Sequence, residues 1–207
     1  MSNFSERIMN GTATIITDYQ ITWYMQEIAM HAYGAEVDML YMDEILQNPQ
    51  TVQSRLVWFH LSSFLSHAAM ISKLLTPISK NSKARGDALK AMLNIAANSD
   101  VIPRTARDNT EHFDERIDNW VSANATSILE IVLQDRNGYN FLRGAEKRVR
   151  RVLLKQEYIY ISENKDGTKF ELELRPLLQE VKRIGDEATK WINANSPYTF
   201  IYPHVAV

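Results

Sequence analysis

The stretch Arg107-Asp108-Asn109-Thr110-Glu111-His112 holds the residue types best suited to chemistry in this chain. An arginine grips a phosphate with two parallel hydrogen bonds, and a histidine moves protons near neutral pH. Together they are a minimal kit for cutting RNA without a metal, because RNA carries its own 2′-hydroxyl nucleophile. In that reading Arg107 holds the scissile phosphate and offsets its developing charge. His112 abstracts the 2′-hydroxyl proton or protonates the leaving oxygen, while Asp108 or Asn109 orients the imidazole. The alternative is an ordinary solvated helix face, with Arg107 paired to Glu111 and His112 to Asp108 or Glu115. On a helical wheel Arg107 and His112 stand about 140° apart. Joint action therefore needs the reach of the arginine or two copies facing each other. Residues 104–118 carry Arg104, Arg107 and Arg116 against Asp108, Glu111, Asp114, Glu115 and Asp118, which is a poor surface for a polyanion.

A second candidate is the basic segment Arg143, Lys147, Arg148, Arg150, Arg151 and Lys155, opposed only by Glu146. It concentrates enough charge to track a phosphate backbone, and Tyr158 and Tyr160 follow it as possible stacking surfaces. Its alternative is a solvated face with the tyrosines packed inward. His60, Ser63 and His67 share a stripe of one helix, and Glu27 and His31 have i,i+4 spacing on another, so a His31–His60–His67 cluster is conceivable. The paired Glu-x-x-His pattern of dimetal bundles is absent. We expect polar core or interface positions there, with no metal and no cofactor. The methionines Met25, Met30, Met39, Met42, Met70 and Met92 read as adaptable core filler.

Composition narrows the classes. The chain has 207 residues, 45% of them hydrophobic, a formal net charge of −2 and no cysteine. That is material for one domain with a small appendage or for two small domains packed together, and it excludes disulfides, thiolate metal sites and a cysteine nucleophile. Any contact with nucleic acid must use a local patch. No run approaches the roughly 20 apolar residues of a membrane span, and the first residues lack a secretory pattern. We expect a cytoplasmic protein that does not contact membranes.

The elements that must position these residues are mostly helical. Ile16, Ile21, Tyr24, Met25, Ile28 and Ala32 predict a helix over about 12–33, broken or bent at Gly34, with a shorter piece to Leu46. Asn48-Pro49 is a turn. A second helix runs from Thr51 to Thr76-Pro77, a third over Ala84–Ala97, and a fourth over Thr105–Ala123 with Thr105 as its N-cap. The fourth buries Ala106, Thr110, Phe113, Ile117, Trp120 and Val121. Ser127–Gln134 is strand or helix, and Asp135–Asn140 is a turn. Alternating segments around Asn164-Lys165-Asp166-Gly167 predict a β-hairpin. Pro176 opens a last helix to about Asn195, and the apolar tail Tyr198–Val207 docks on this chain or on a partner. The predicted fold is mainly α: an up-down four-helix bundle over residues 1–124. The basic segment, hairpin, helix and tail of 125–207 pack on it.

An all-helical bundle with Arg, then a polar residue, three more residues and His resembles the HEPN superfamily. Arg107, Asp108 and His112 are the matching residues, and the resemblance covers about residues 12–124. It implies a homodimer with two motifs facing across the interface. It also implies metal-independent RNA cleavage to a 2′,3′-cyclic phosphate, in toxin–antitoxin, phage-defence or stress systems. Many relatives are non-catalytic binding or scaffold modules, which implies a cognate protein partner instead. Asp108 stands where asparagine is frequent, and Glu111, Asp114 and Glu115 add negative charge around the motif.

Overall fold

The computed structural model describes residues 18–122, 127–142 and 147–195. Seven α-helices and four strands are present among them: α1 (Asp18–Gln47), α2 (Arg55–Leu75), α3 (Lys83–Met92), α4 (Thr105–Glu111), α5 (Phe113–Ser122), β1 (Ser127–Leu133), α6 (Arg136–Leu142), β2 (Lys147–Leu154), β3 (Ile159–Glu163), β4 (Lys169–Glu173) and α7 (Leu174–Asn195). The protein is mainly helical, with a four-strand mixed sheet. No helix among the described residues is long and apolar enough to cross a membrane.

The core is organised around α1, which packs against α2 on one side and α7 on another. Ile21, Met25, Ile28, Ala32, Ala35, Met39, Met42 and Leu46 are its buried face. They recur at helical spacing and meet Leu61, Phe64 and Ile71 of α2 and Val181, Ile184 and Ala188 of α7 in one cluster. The expected break at Gly34 does not occur. A glycine inside a helix costs only about 1 kcal/mol relative to alanine, and here it makes room for a neighbour. A Cβ at Gly34 would lie 2.5 Å from the His67 ring. The C-terminal helix starts two residues before Pro176, which therefore sits in its first turn, where proline loses no helical hydrogen bond.

Helix α3 stops at Met92, five residues short of the expected Ala97. Asn94 takes a left-handed φ of 51°, and the Ile95 amide donates to the Lys90 carbonyl at 2.9 Å, closing the helix. The expected fourth helix is two helices, interrupted at His112. The Arg116 guanidinium donates to the His112 carbonyl at 2.7 Å, a side chain inserted into the backbone ladder. Thr105 is the first helical residue of α4, and Arg104 occupies the N-cap position.

The sheet is larger than a hairpin. Its order is β1-β2-β3-β4, with β1 and β2 parallel and the other pairs antiparallel. The ambiguous segment 127–134 forms an edge strand. The expected turn at 135–140 is the short crossover helix α6, its start fixed by the Gly138 amide donating to Asp135 Oδ1 at 3.0 Å. The hairpin β3–β4 turns at Asn164–Thr168, where Gly167 has φ +83°. One sheet face packs Val149, Val152, Leu154 and Ile161 under Tyr139 of α6, while Val132, Leu153 and Tyr160 join the main core. The apolar tail and Arg143 lie outside the described residues.

Helices α1 and α7 meet closely at Gly185, where an added Cβ would come 2.4 Å from the Ala32 Cβ. Gly185→Ala must push these helices apart. We expect a loss of about 1–3 kcal/mol, seen as a lower denaturant midpoint at unchanged slope. An unchanged midpoint would show that the contact is not tight.

Candidate functional site

The Arg107–His112 motif is divided by the helix break. Arg107 is 21% exposed and pairs with both Asp108 (3.2 Å) and Glu111. It lines a 140 Å³ pocket with Asp100, Arg104, Phe170 and Glu171, which His112 does not line. His112 is 58% exposed, and its Nδ1 lies 3.9 Å from Glu115. Within one chain the two residues thus have separate acidic partners. Asp108 turns toward Arg107 rather than toward the imidazole.

The inward residues of the same segment hold the helices to the sheet. Asn109 donates to Ser162 Oγ (3.1 Å) and to Asn164 Oδ1 (3.0 Å). Buried Arg116 donates to Asn109 Oδ1 (2.5 Å) and to the Glu163 carbonyl (2.9 Å). The Glu163 side chain, 2% exposed, accepts from Trp120 Nε1 at 2.8 Å and pairs with Lys169 and Arg148. The network serves as a joint that ties α4 and α5 to β3.

The basic segment becomes strand β2, and its charges are distributed by a bulge. Leu129 pairs with Val149 and Glu130 with Arg151, which leaves Arg150 as the extra residue. The bulge breaks the alternation: Val149 and Val152 face α6, whereas Arg150 and Arg151 both turn to the side of Glu130 and α2. Glu130 pairs with Arg150 at 2.8 Å and with Arg151 at 3.1 Å. The Arg151 guanidinium also lies 4.9 Å over the Trp58 ring. Arg148 turns to Glu163, separating from its neighbours. The Lys155 amide donates to the Leu133 carbonyl at 2.8 Å, and the Lys155 side chain is half-buried. Arg143 and the Lys147 side chain lie outside the description.

Between α2 and this bulge is an open cleft of 650 Å³ lined by Arg55, Trp58, Phe59, Ser62, Ser63, Ser66, Glu130, Arg150 and Arg151. Three guanidinium groups face one carboxylate. Arg55 has no ion pair among the described residues, and Phe59 is 66% exposed. Sequence reasoning found Arg150 and Arg151 and placed Ser63 on a stripe with His60 and His67, but missed Arg55, Trp58, Phe59, Ser62 and Ser66 as lining residues. The missing signal was the bulge, which no residue pattern announces. Arg55, Phe59, Ser62 and Ser66 do lie on one helical stripe at spacings of four, three and four.

The conceivable histidine cluster is real but linear. His31 Nδ1 lies 2.9 Å from His67 Nδ1, His67 Nε2 lies 3.8 Å from Asp38 Oδ2, and Asp38 Oδ1 lies 2.9 Å from His60 Nδ1. Glu27 stands at the outer end, 3.8 Å from His31 Nε2. His67 uses opposite ring nitrogens for its two neighbours, so the donors form a line across the α1–α2 seam. Among the described residues no group of three or more ligating side chains is arranged to hold a metal. Neither a family model, nor a curated protein, nor a solved structure matches the chain.

Burial, and then the neighbouring His67, hold the His31 imidazole below its ordinary value, with Glu27 partly opposing them. The unfolded chain therefore takes up this proton more readily than the folded one. The stabilisation is complete above the unfolded value of about 6.5. It is lost as the pH falls from there toward the folded value. We expect the melting temperature to drop on acidification from about pH 7.5 to 5.5, and His31→Gln to flatten that drop. Parallel profiles for the two proteins would rule out His31 as a contributor.

Proposed function

We propose that this protein binds RNA, and that it does so through the cleft between α2 and the β2 bulge. The observation that carries the reading is the convergence of Arg55, Arg150 and Arg151 on one cavity beside an exposed aromatic ring. Guanidinium groups suit phosphate oxygens, and aromatic faces suit bases. The HEPN-like bundle remains part of this proposal, supported by the helical content and by the motif residues Arg107, Asp108 and His112. Geometry favours binding over cleavage. Arg107 is held by two carboxylates, and a competent site would need a second copy to bring an arginine and a histidine together.

A second copy also has a surface to meet. Trp23, Met30, Tyr33, Leu40 and Tyr41 are exposed apolar residues of α1, within about 100° of helical arc. The HEPN resemblance supplies the occupant, a homodimer formed across this face. Met30→Lys with Tyr33→Lys is expected to halve the mass measured by light scattering. A wild type that is already monomeric at high concentration would defeat the dimer reading.

The binding reading is tested by fluorescence anisotropy with labelled single-stranded RNA from about 50 to 200 mM salt. Each neutralised phosphate contributes about −0.7 to the log–log slope, so one phosphate on the bulge arginines and a second on Arg55 predict about −1.4. Arg55→Gln with Arg150→Gln should weaken binding and flatten the slope by at least about 0.7. No binding at low salt, or binding indifferent to these changes, would sink the reading. In EDTA we expect the RNA to stay intact. Cleavage to cyclic-phosphate ends that is lost in Arg107→Ala/His112→Ala would move the function to ribonuclease.

A further inference from the structure

We infer that the cleft is built for a single-stranded segment: one unpaired base lies on Phe59, and the adjoining phosphate displaces Glu130 from Arg150. This rests on the RNA-binding reading above and adds the form of RNA and the residue roles.

The size of the cleft favours a single nucleotide unit. Its 650 Å³ falls in the range of about 300–1,000 Å³ typical of sites for one small molecule. A duplex presents phosphates and 2′-hydroxyls outside and keeps its base faces stacked within. It therefore offers nothing to the ring of Phe59. That ring is exposed, and it rests against a neighbouring ring. It stands at 84° to the His60 imidazole with centroids 5.2 Å apart. His60 is in turn stacked on Tyr41 and bonded to Asp38. Trp58 cannot play the same part, because it is buried and Arg151 covers its face.

The two bulge arginines have different roles. Arg151, 17% exposed, is pinned between Trp58 and Glu130, while Arg150 is 31% exposed at the bulge itself. Glu130 spans both guanidinium groups in the way that a bound phosphate would. It thus acts as an internal counter-ion that a phosphate must replace. Ser62, Ser63 and Ser66 line the opposite wall, and their hydroxyls offer donors and acceptors to a ribose 2′-hydroxyl or a base edge.

The test uses anisotropy titrations of the full chain with three probes of equal length: a single-stranded RNA, the same sequence as a duplex, and an abasic strand. Wild type should prefer the single strand over both others. Phe59→Ala, at an exposed position, should lose at least about fivefold in affinity for the single strand, with an unchanged salt slope and unchanged affinity for the abasic strand. Phe59→Trp should restore it. Glu130→Gln should tighten all three by several-fold, since it removes the competing carboxylate. Equal affinity for duplex and single strand, or Phe59→Ala binding like wild type, would overturn this inference and leave RNA binding standing. Glu130→Gln binding no tighter than wild type would overturn the exchange. Failure of all three probes to bind wild type at low salt would overturn the RNA reading and this inference together.

Discussion

The close packing of α1 between α2 and α7 is the constraint on which the rest depends. Two positions without side chains permit it: Gly34, where the His67 ring lies against the helix backbone, and Gly185, where α7 meets Ala32. Because β4 runs directly into α7, fixing α7 on α1 also fixes the sheet. Tyr158 ties the other end of that arrangement. It sits between β2 and β3 with a left-handed φ of 55°, donates its hydroxyl to Asp43 of α1, and lies under Arg175 of α7. Burial and the Asp43 carboxylate push the Tyr158 hydroxyl up to about 12, so it remains a donor through the neutral range. A residue held in a sparsely populated conformation costs roughly 1–3 kcal/mol. The contacts of Tyr158 with Asp43 and Arg175 offset that cost, and in return the sheet is registered against α1.

A second joint holds α4 and α5 to β3, and it explains why the most chemically suggestive segment of the chain is split in use. Asn109 and Arg116 look outward-polar in sequence, yet they point inward to Ser162, Asn164 and Glu163. A buried carboxylate such as Glu163 is tolerated only when its lone pairs are filled. Trp120, Lys169, Arg148 and the Val149 amide fill them. Removing one partner of such a buried pair typically costs about 3–5 kcal/mol. The geometry of this joint is therefore set by folding, and Arg107, Asp108 and His112 occupy what is left facing outward.

Much of this was legible in residue order, for identifiable reasons. The amphipathic face of α7, the hairpin at Asp166-Gly167 and the end of α2 before Pro77 follow from periodicity, turn chemistry and the loss of an amide donor. By contrast, Leu56, Phe59 and Met70, which read as the apolar face of α2, are exposed, and the helix buries Val57, Leu61, Phe64 and Ile71 instead. What was not legible depended on contacts between distant residues. Gly34 reads as a break until His67 is placed against it. The helix over 105–123 reads as continuous until Arg116 reaches back to the His112 carbonyl. The basic segment reads as one charged face, but a strand alternates its side chains. Arg148 is drawn to Glu163, while the bulge turns Arg150 and Arg151 together toward α2. The cleft followed from that bulge and from Arg55, which lies about 100 residues earlier in the chain, so its parts were visible only singly.

The charge balance of the cleft bears on selectivity. A protein with a net charge of −2 has no long-range field to gather RNA, so affinity must come from short contacts. With Glu130 across Arg150 and Arg151, the resting cleft holds a modest excess of positive charge and the arginines are already oriented. A phosphate alone gains little, because it exchanges one anion for another at similar geometry. The net gain must then come from what a carboxylate cannot supply, namely a base face against Phe59 and a ribose hydroxyl against the serine wall. Such a site discriminates against bare polyanions by construction: the internal carboxylate cancels the unselective part of the attraction and leaves the selective part to decide.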